Sequence, residues 1–292
     1  MEESVEKNAP LSRFTTFRIG GPAERLVHPR NVEEAISVLS REGQVFILGG
    51  GSNILVSDEG VRGVTMRLSK FCADVEFSPA QGNKVIVKAQ AGLSLTRLSG
   101  LAMRRGLSGL EFAYGIPGTL GGALAMNAGT REGEMKDIAV SVTVVTRDGA
   151  VKRLSGGECG FSYRSSGFAD GDAIVECELA LRRDDDARIR ERMRKGWEAR
   201  KASQPLDKPS AGSIFKNPAG NFAGRLIEAV GLKGYCVGGA MVSEKHANFI
   251  VNTGGASAGD VLAVIKEAER RVYETSGVRL EREIKLVGRF DE

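Results

Sequence analysis

Apolar positions along the chain change period several times, and each change marks an element. In PLSRFTTFRIGGP, the residues Phe14, Phe17 and Ile19 stand among polar neighbours, and Gly20-Gly21-Pro22 makes a turn. Over residues 31–42, Val32, Ala35, Ile36 and Leu39 fall on one helical face, with Asn31 as cap and Glu34 three positions later, as in a capping box. A short apolar run over 45–48 follows, so the opening unit reads β-α-β. Three glycines come next, then Ser52, Asn53 and a second β-like run, Ile54-Leu55-Val56. A short strand is expected over 64–68. Further on, Val85, Val87 and Ala89 alternate with Lys84, Ile86 and Lys88, the period of a half-buried strand. A helix over 94–105 begins at Ser94 and stops at Gly106. Residues 139–154 and 173–183 are strand-like, with a hairpin signal at Asp148-Gly149.

At residue 184 the composition shifts to DDDARIRERMRKGWEARKASQP. Acid at its start and base later suit the dipole of a helix that ends by Pro205. A domain boundary is expected inside it, near 196, which gives domains 1–195 and 196–292, the first divided near 70. Helices fit 222–230, capped by Asn221, and 258–276, capped by Ser257 with Asp260 at the third position and Gly277 as stop. The latter has Val261, Leu262, Ile265, Ala268 and Val272 on one face. In the terminal VRLEREIKLVG, Val278, Leu280, Ile284 and Leu286 face one way, while Glu281, Glu283 and Lys285 face the other.

With 292 residues the chain can bury a substantial core and form two domains. Its net charge of +4, from 41 basic and 37 acidic residues, is too weak and too mixed to argue for nucleic acid. One Trp and four Tyr also leave little for base stacking. Cys72, Cys159, Cys177 and Cys236 lack metal-ligand or redox spacing and read as reduced thiols. His28 and His246 are the only histidines, which argues against a His-based metal site or triad. No run is long and apolar enough for a membrane span, and the start has no signal-peptide pattern. A cytoplasmic, soluble protein without bound metal is expected.

The 38 glycines are many, and glycine costs conformational entropy unless backbone must come close to something. Gly49-Gly50-Gly51 lacks the Lys-Ser/Thr pair of a P-loop, and Ile54 stands where a dinucleotide fingerprint needs its third glycine. A strand–loop–strand nest for phosphate and a ligand-free glycine hairpin remain equally open for this stretch alone. A second stretch, GIPGTLGGALAMNAG, has glycines at 115, 118, 121, 122 and 129. Two such loops suggest a large phosphorylated ligand lying across both, such as a dinucleotide cofactor. The alternative is a helix turn packed tightly on a sheet. In FSYRSS, Arg164 follows two aromatics and could pair bidentately with a carboxylate or phosphate, or be an ordinary structural arginine. In PSAGSIFKNP, Ser213 has no His nearby in sequence, so it could give or accept a proton or simply form a turn.

Together these pieces resemble one family, the UDP-N-acetylenolpyruvoylglucosamine reductases. The resemblance runs nearly end to end through FTTFRIGGPA, LGGGSNILVSD, YGIPGTLGGALAMNAG, FSYRSS, PSAGSIFKNP, GGAMVSEKHANFIVN and LEREIKLVG. It implies an α+β fold: a two-subdomain FAD-binding domain of the vanillyl-alcohol-oxidase / p-cresol-methylhydroxylase type, then an α+β substrate-binding domain. It implies that Gly49, Gly50, Gly51, Ser52, Asn53, Gly115, Ile116, Pro117, Gly118, Gly121, Gly122, Ala123, Asn127 and Gly129 hold FAD. Arg164, Ser213 and Glu283 would be catalytic, with Glu281 the alternative acid, and Tyr163, Lys216, Asn217 and His246 would face substrate. The chain looks like the family's shorter class, which lacks a loop carrying a lid tyrosine.

The reaction so implied reduces a UDP-sugar enolpyruvyl ether with NADPH through FAD, in a monomer with neither nucleic acid nor membrane as partner. Hydride from flavin N5 to the methylene carbon leaves charge that an arginine and a protonated acid would stabilise, and Ser213 would protonate the neighbouring carbon. Another FAD-dependent oxidase or dehydrogenase of the same cofactor fold is the competing enzyme reading. A nucleotide-sugar binding protein without activity is the competing class.

Overall fold

A computed structural model of the chain describes residues 5–68 and 72–290. The chain divides into two compact units. One comprises Met1–Glu6, Arg25–Gly50 and Gly63–Ala199; the other comprises Lys7–Glu24, Gly51–Arg62 and Arg200–Glu292. The boundary at 199/200 falls inside the helix Asp186–Ser203. Residues 7–24 and 51–62, however, group with the C-terminal unit, not with the N-terminal one. The reason is tertiary: Phe17, Ile19 and Leu55 bury themselves in that unit's core. Main-chain bonds add to this, from Gly21 N to Ser57 O and from Ser57 N to Val287 O. The expected subdivision near 70 lies outside the described residues.

The first unit holds a six-stranded antiparallel sheet. Its strands run Val151–Ser155, Ala139–Val145, Ala173–Arg183, Lys84–Gln90 and Val75–Phe77, with Leu107–Ser108 also pairing with Ala173–Arg183. Alternation explains its centre. Val85, Val87 and Ala89 face Leu181, Leu179 and Cys177 across the ladder, and all six are buried. Such cross-strand apolar pairs are the main stabilising element of a sheet. The helix Leu95–Met103 adds Leu95, Leu98 and Ala102 to this core, and Ser94 caps it by accepting from Arg97 N. A second core in the same unit gathers Val27, Ala35, Val38, Leu39, Val45, Val64 and Met66. It lies around the helix Val32–Arg41 and the parallel pairing of Val45–Leu48 with residues 64–67.

The second unit has a four-stranded antiparallel sheet, ordered Ser210–Ser213, Phe249–Asn252, Ala240–Val242 and Cys236–Val237. The helix Ala258–Ser276 covers its core with Val261, Val264, Ile265, Ala268 and Val272, and ends at Gly277 in the left-handed region. Ser257 caps it as expected and forms a full capping box with Asp260, each side chain accepting the other's N–H. Asp58 completes the cap: its carboxylate accepts from Ala258 N at 2.9 Å and Gly259 N at 3.1 Å. The orphan donors of the first turn are thus satisfied, and a negative charge stands at the positive end of the helix dipole.

Two expectations are corrected. The last strand is only Lys285–Val287, paired in parallel with Ile54–Val56, because that partner is itself three residues long. Residues 281–284 instead pack irregularly against 214–216, so alternation there reflects burial of Ile284 without a ladder. The helix expected over 222–230 is Ala223–Ala229, with Phe222, not Asn221, at the cap position; its Ala223 N–H goes to the side-chain oxygen of Asn217.

All four cysteines are free, Cys236 alone being exposed. Burial pushes the Cys72 thiol up to about 11 and raises Cys159 and Cys177 as well. Among the described residues, no group of three or more His, Cys, Asp or Glu could hold a metal ion, and no helix is long and apolar enough to cross a membrane.

Removing the Asp58 carboxylate uncovers two helix N–H groups. Asp58→Ala is expected to cost about 1–2 kcal/mol, the usual range for loss of a cap, read as a lower midpoint in urea unfolding.

Candidate active site

In the first unit, the glycines of 49–50 lie against those of 115–119. A Cβ on Gly49 would stand 2.7 Å from Thr119 Oγ1, and one on Gly50 would stand 2.5 Å from Gly118 Cα. The side chains are missing here first because another part of the protein fills the space. Gly115 and Gly118 have φ of 78° and 118°, a region that other residues rarely adopt. Gly121 is a packing glycine too: its N–H goes to Ala91 O, and a Cβ would stand 2.9 Å from Ala91 Cβ. Gly122 differs. It lies in the helix Leu120–Ala125, and a Cβ there would come no nearer than 3.6 Å to Thr119 Oγ1. Glycine in a helix costs about 1 kcal/mol relative to alanine, so here the cost has no packing reason. Among the described residues, the main-chain N–H groups of Gly49, Gly50, Gly115 and Gly118 have no protein acceptor. Such donors can receive the oxygens of an anion.

Asn127 is fully buried at φ 42°. Its amide donates to Glu134 Oε2 at 2.8 Å and Ser162 O at 2.9 Å, while its oxygen accepts from Lys136 N. Both side-chain donors are therefore used inside the protein, and Asn127 ties the second glycine loop to the FSYRSS hairpin. Ser166 Oγ adds a bond to Ala125 O. Arg164 stands at the hairpin tip, between Ser162 and Ser165, whose main chains bond to each other. Its φ is 54°, its Nη2 donates to Gly129 O at 3.0 Å, and its guanidinium lies over the Tyr163 ring, which is half exposed. Gly129 is also a contact glycine, with the Glu134 Cβ 2.4 Å from where its own would be. Ile116 packs against the core, Pro117 is in the same loop, and Ala123 is buried.

In the second unit, Gly51 has φ 60°, and a Cβ would strike Phe14 O at 2.2 Å. Its carbonyl accepts from Thr16 N. Ser52 is followed by Asn53, whose amide donates to Glu283 O at 3.0 Å and whose carbonyl accepts from Lys285 N at 3.1 Å. Ser213 ends its strand just after a β-bulge: Ser210 pairs with Val251 and Ser213 with Phe249, three residues against two. Gly212, at φ 77°, makes the extra step. Bulges of this kind re-aim a side chain. Glu283 N donates to Ile214 O at 2.8 Å, which fixes the acid next to Ser213 along the backbone. Glu281 differs from Glu283: it is exposed and grips Lys216 Nζ at 2.6 Å. Asn217 caps the helix Ala223–Ala229. His246 is half-buried, stacks edge-on to Phe249, and accepts at Nδ1 from Asn248 N. Burial holds its imidazole below the ordinary value.

Each unit therefore gathers its own set, Gly49–Gly50 with 115–129 and Arg164 in one, Gly51–Asn53 with Ser213, Lys216 and Glu283 in the other. Residues 204–287 match the family model "UDP-N-acetylenolpyruvoylglucosamine reductase, C-terminal domain", and residues 23–155 match "FAD binding domain". A reductase of that name from Symbiobacterium thermophilum is 48% identical over 97% of this chain and 92% of its own length. The chain belongs to the UDP-N-acetylenolpyruvoylglucosamine reductase family. Another reductase, from Caldanaerobacter subterraneus, is 46% identical over 98% of the chain and 95% of its own. The crystal structure of the Thermus caldophilus reductase superposes with a TM-score of 0.86 at 41% identity, covering 98% of this chain and all of that one. As a reductase of this family, the protein is an FAD-dependent oxidoreductase with the α+β fold expected: an FAD-binding domain and an α+β C-terminal domain. The residues present suit FAD, because partnerless main-chain donors and an unfilled position at Gly122 occur inside the matched domain.

Sequence reasoning missed Asn248, which holds the Ser213 strand, and the helix-capping role of Asp58. A capping carboxylate 200 residues from its helix leaves no local signal.

Two outcomes follow from the geometry. Gly122→Ala is expected to stabilise the apoprotein by up to about 1 kcal/mol while weakening FAD binding, measured by flavin titration. Arg164→Gly is expected to be more stable than Arg164→Ala by about 1 kcal/mol in urea, since only glycine tolerates the left-handed backbone there without strain.

Proposed function

We propose that the protein converts UDP-N-acetylglucosamine enolpyruvate to UDP-N-acetylmuramate with NADPH, a step of peptidoglycan precursor synthesis, and that Arg164, Ser213 and Glu283 do the work. The observation that carries these roles is the bond from Glu283 N to Ile214 O, which puts an acid beside the main chain of a bulge-presented serine. Glu281, the alternative acid, is exposed and bonded to Lys216.

FAD, when bound, would supply the hydride-transfer chemistry between NADPH and the enolpyruvyl group. Gly49, Gly50, Gly115 and Gly118 would offer main-chain donors to its diphosphate. Hydride addition leaves negative charge on the neighbouring carbon, which spreads into the carboxylate. Arg164 meets that charge with a fixed planar cation, and its strained backbone keeps the guanidinium at one place. Glu283, protonated, donates to a carboxylate oxygen. Preorganised donors of this kind are commonly worth about 3–4 kcal/mol each. Ser213 then gives its proton to carbon; a hydroxyl is a weak acid, but a carbanion is a strong enough base to take it. Lys216 reaches the substrate diphosphate by exchanging its Glu281 partner for phosphate, and Asn217, Tyr163 and His246 complete the substrate side. This reading takes the enzyme to be cytoplasmic and monomeric, acting on a small molecule, with neither nucleic acid nor membrane as partner.

Ser213→Ala is expected to leave flavin reduction by NADPH at the wild-type rate. Reoxidation by the enolpyruvyl substrate should slow by about 10²-fold or more, the scale of a lost general acid. Anaerobic stopped-flow absorbance measures both steps, and normal reoxidation in this variant would remove Ser213 from its role.

A further inference from the structure

The main chain that follows Ser213 is held by one buried side chain. Asn248 is 4% exposed and spends nearly all its hydrogen-bonding capacity on the two residues that follow the strand Ser210–Ser213. Its carbonyl accepts from Ile214 N at 2.9 Å. Its side-chain oxygen accepts from Phe215 N at 2.9 Å, and its side-chain nitrogen donates to Phe215 O at 2.8 Å. A primary amide thus copies a strand's two-point pairing where the ladder has ended. On the other side of the same segment, Ile214 O takes Glu283 N at 2.8 Å and Ile284 N at 3.3 Å, and Lys216 N reaches Glu281 O. Asn248 N is itself fixed by His246 Nδ1 at 3.2 Å.

We propose that Asn248 is the positioning residue for both Ser213 and Glu283: by clamping Ile214 and Phe215 from one side, it fixes the main chain on which the proton donor and the acid are hung. The inference rests on the roles of Ser213 and Glu283 given above. Immediately before Ile214 the strand bulges at Gly212, so the ladder alone does not fix Ser213, and the clamp begins one residue later. Asn248 touches no reacting group; it acts through the segment it holds. Misplacing a reacting group by about 1 Å costs about 10²-fold in rate, and that sets the size of the effect.

The test uses the FAD-loaded enzyme and two variants. Asn248→Asp keeps the acceptor for Phe215 N but turns an anionic oxygen toward Phe215 O; Asn248→Ala removes both contacts. Both are expected to be reduced by NADPH at the wild-type rate. Reoxidation by UDP-N-acetylglucosamine enolpyruvate should be about 10- to 100-fold slower, with the loss in kcat and little change in KM. Hydrogen exchange of a peptide spanning 213–216 should quicken in Asn248→Ala, a readout independent of turnover. In a Ser213→Ala background, Asn248→Asp should slow reoxidation by a smaller factor than in the wild type, because the part of its effect that passes through Ser213 is already lost. Wild-type reoxidation in Asn248→Asp, or additive losses in the double variant, overturns the positioning role while Ser213 keeps its own. Normal reoxidation of Ser213→Ala alone overturns both.

Discussion

The structure depends on a short buried stretch of main chain that has partners on both sides. Ile214 and Phe215 are almost completely buried, so each of their peptide groups must find a hydrogen bond inside the protein. Asn248 supplies them on one side and residues 281–284 on the other. Because an unpaired buried peptide costs about 1–3 kcal/mol, this segment has little freedom to move. Ser213, at its edge, and Glu283, bonded to its carbonyl, inherit that rigidity. Arg282 reinforces the second side through a two-point bond to Glu269 on the long helix, and Asn53 closes it by donating to Glu283 O.

The glycine loops follow a different logic. Gly49, Gly50, Gly51, Gly121 and Gly129 lack side chains because neighbouring protein atoms stand where a Cβ would go. Among the described residues, the same packing leaves the main-chain N–H groups of Gly49 and Gly50 without a protein acceptor. Close backbone contact and cofactor binding are therefore not rival explanations for these loops. Gly122 has no packing reason, which makes it a position directly informative about the ligand.

What was legible in the sequence was local. The helix Ala258–Ser276, with Ser257, Asp260 and the closing Gly277, could be read to the residue because these end signals and its apolar face are local; the Asp58 cap could not. The Lys84–Gln90 alternation was equally plain, since one face is buried and the other is not. The terminal run misled, for alternation continues from Val278 to Leu286 while the ladder partner Ile54–Val56 spans three residues. The grouping of residues 7–24 and 51–62 with the C-terminal unit depends on Phe17, Ile19 and Leu55 finding a core assembled mostly from residues beyond 200. For the site, the motifs marked the stretches but not how each residue is used. Asn127 proved to be tied up in protein contacts, Glu281 to be engaged with Lys216, and Asn248 to be a clamp.

The central claim is that this chain carries FAD and spends its electrons on an enol ether. The most direct measurement is to reduce the purified flavoprotein anaerobically with one equivalent of NADPH and titrate it with UDP-N-acetylglucosamine enolpyruvate. The bleached visible flavin band should return in proportion to substrate added, reaching completion at one substrate per flavin. A band that stays bleached until air is admitted would contradict the account.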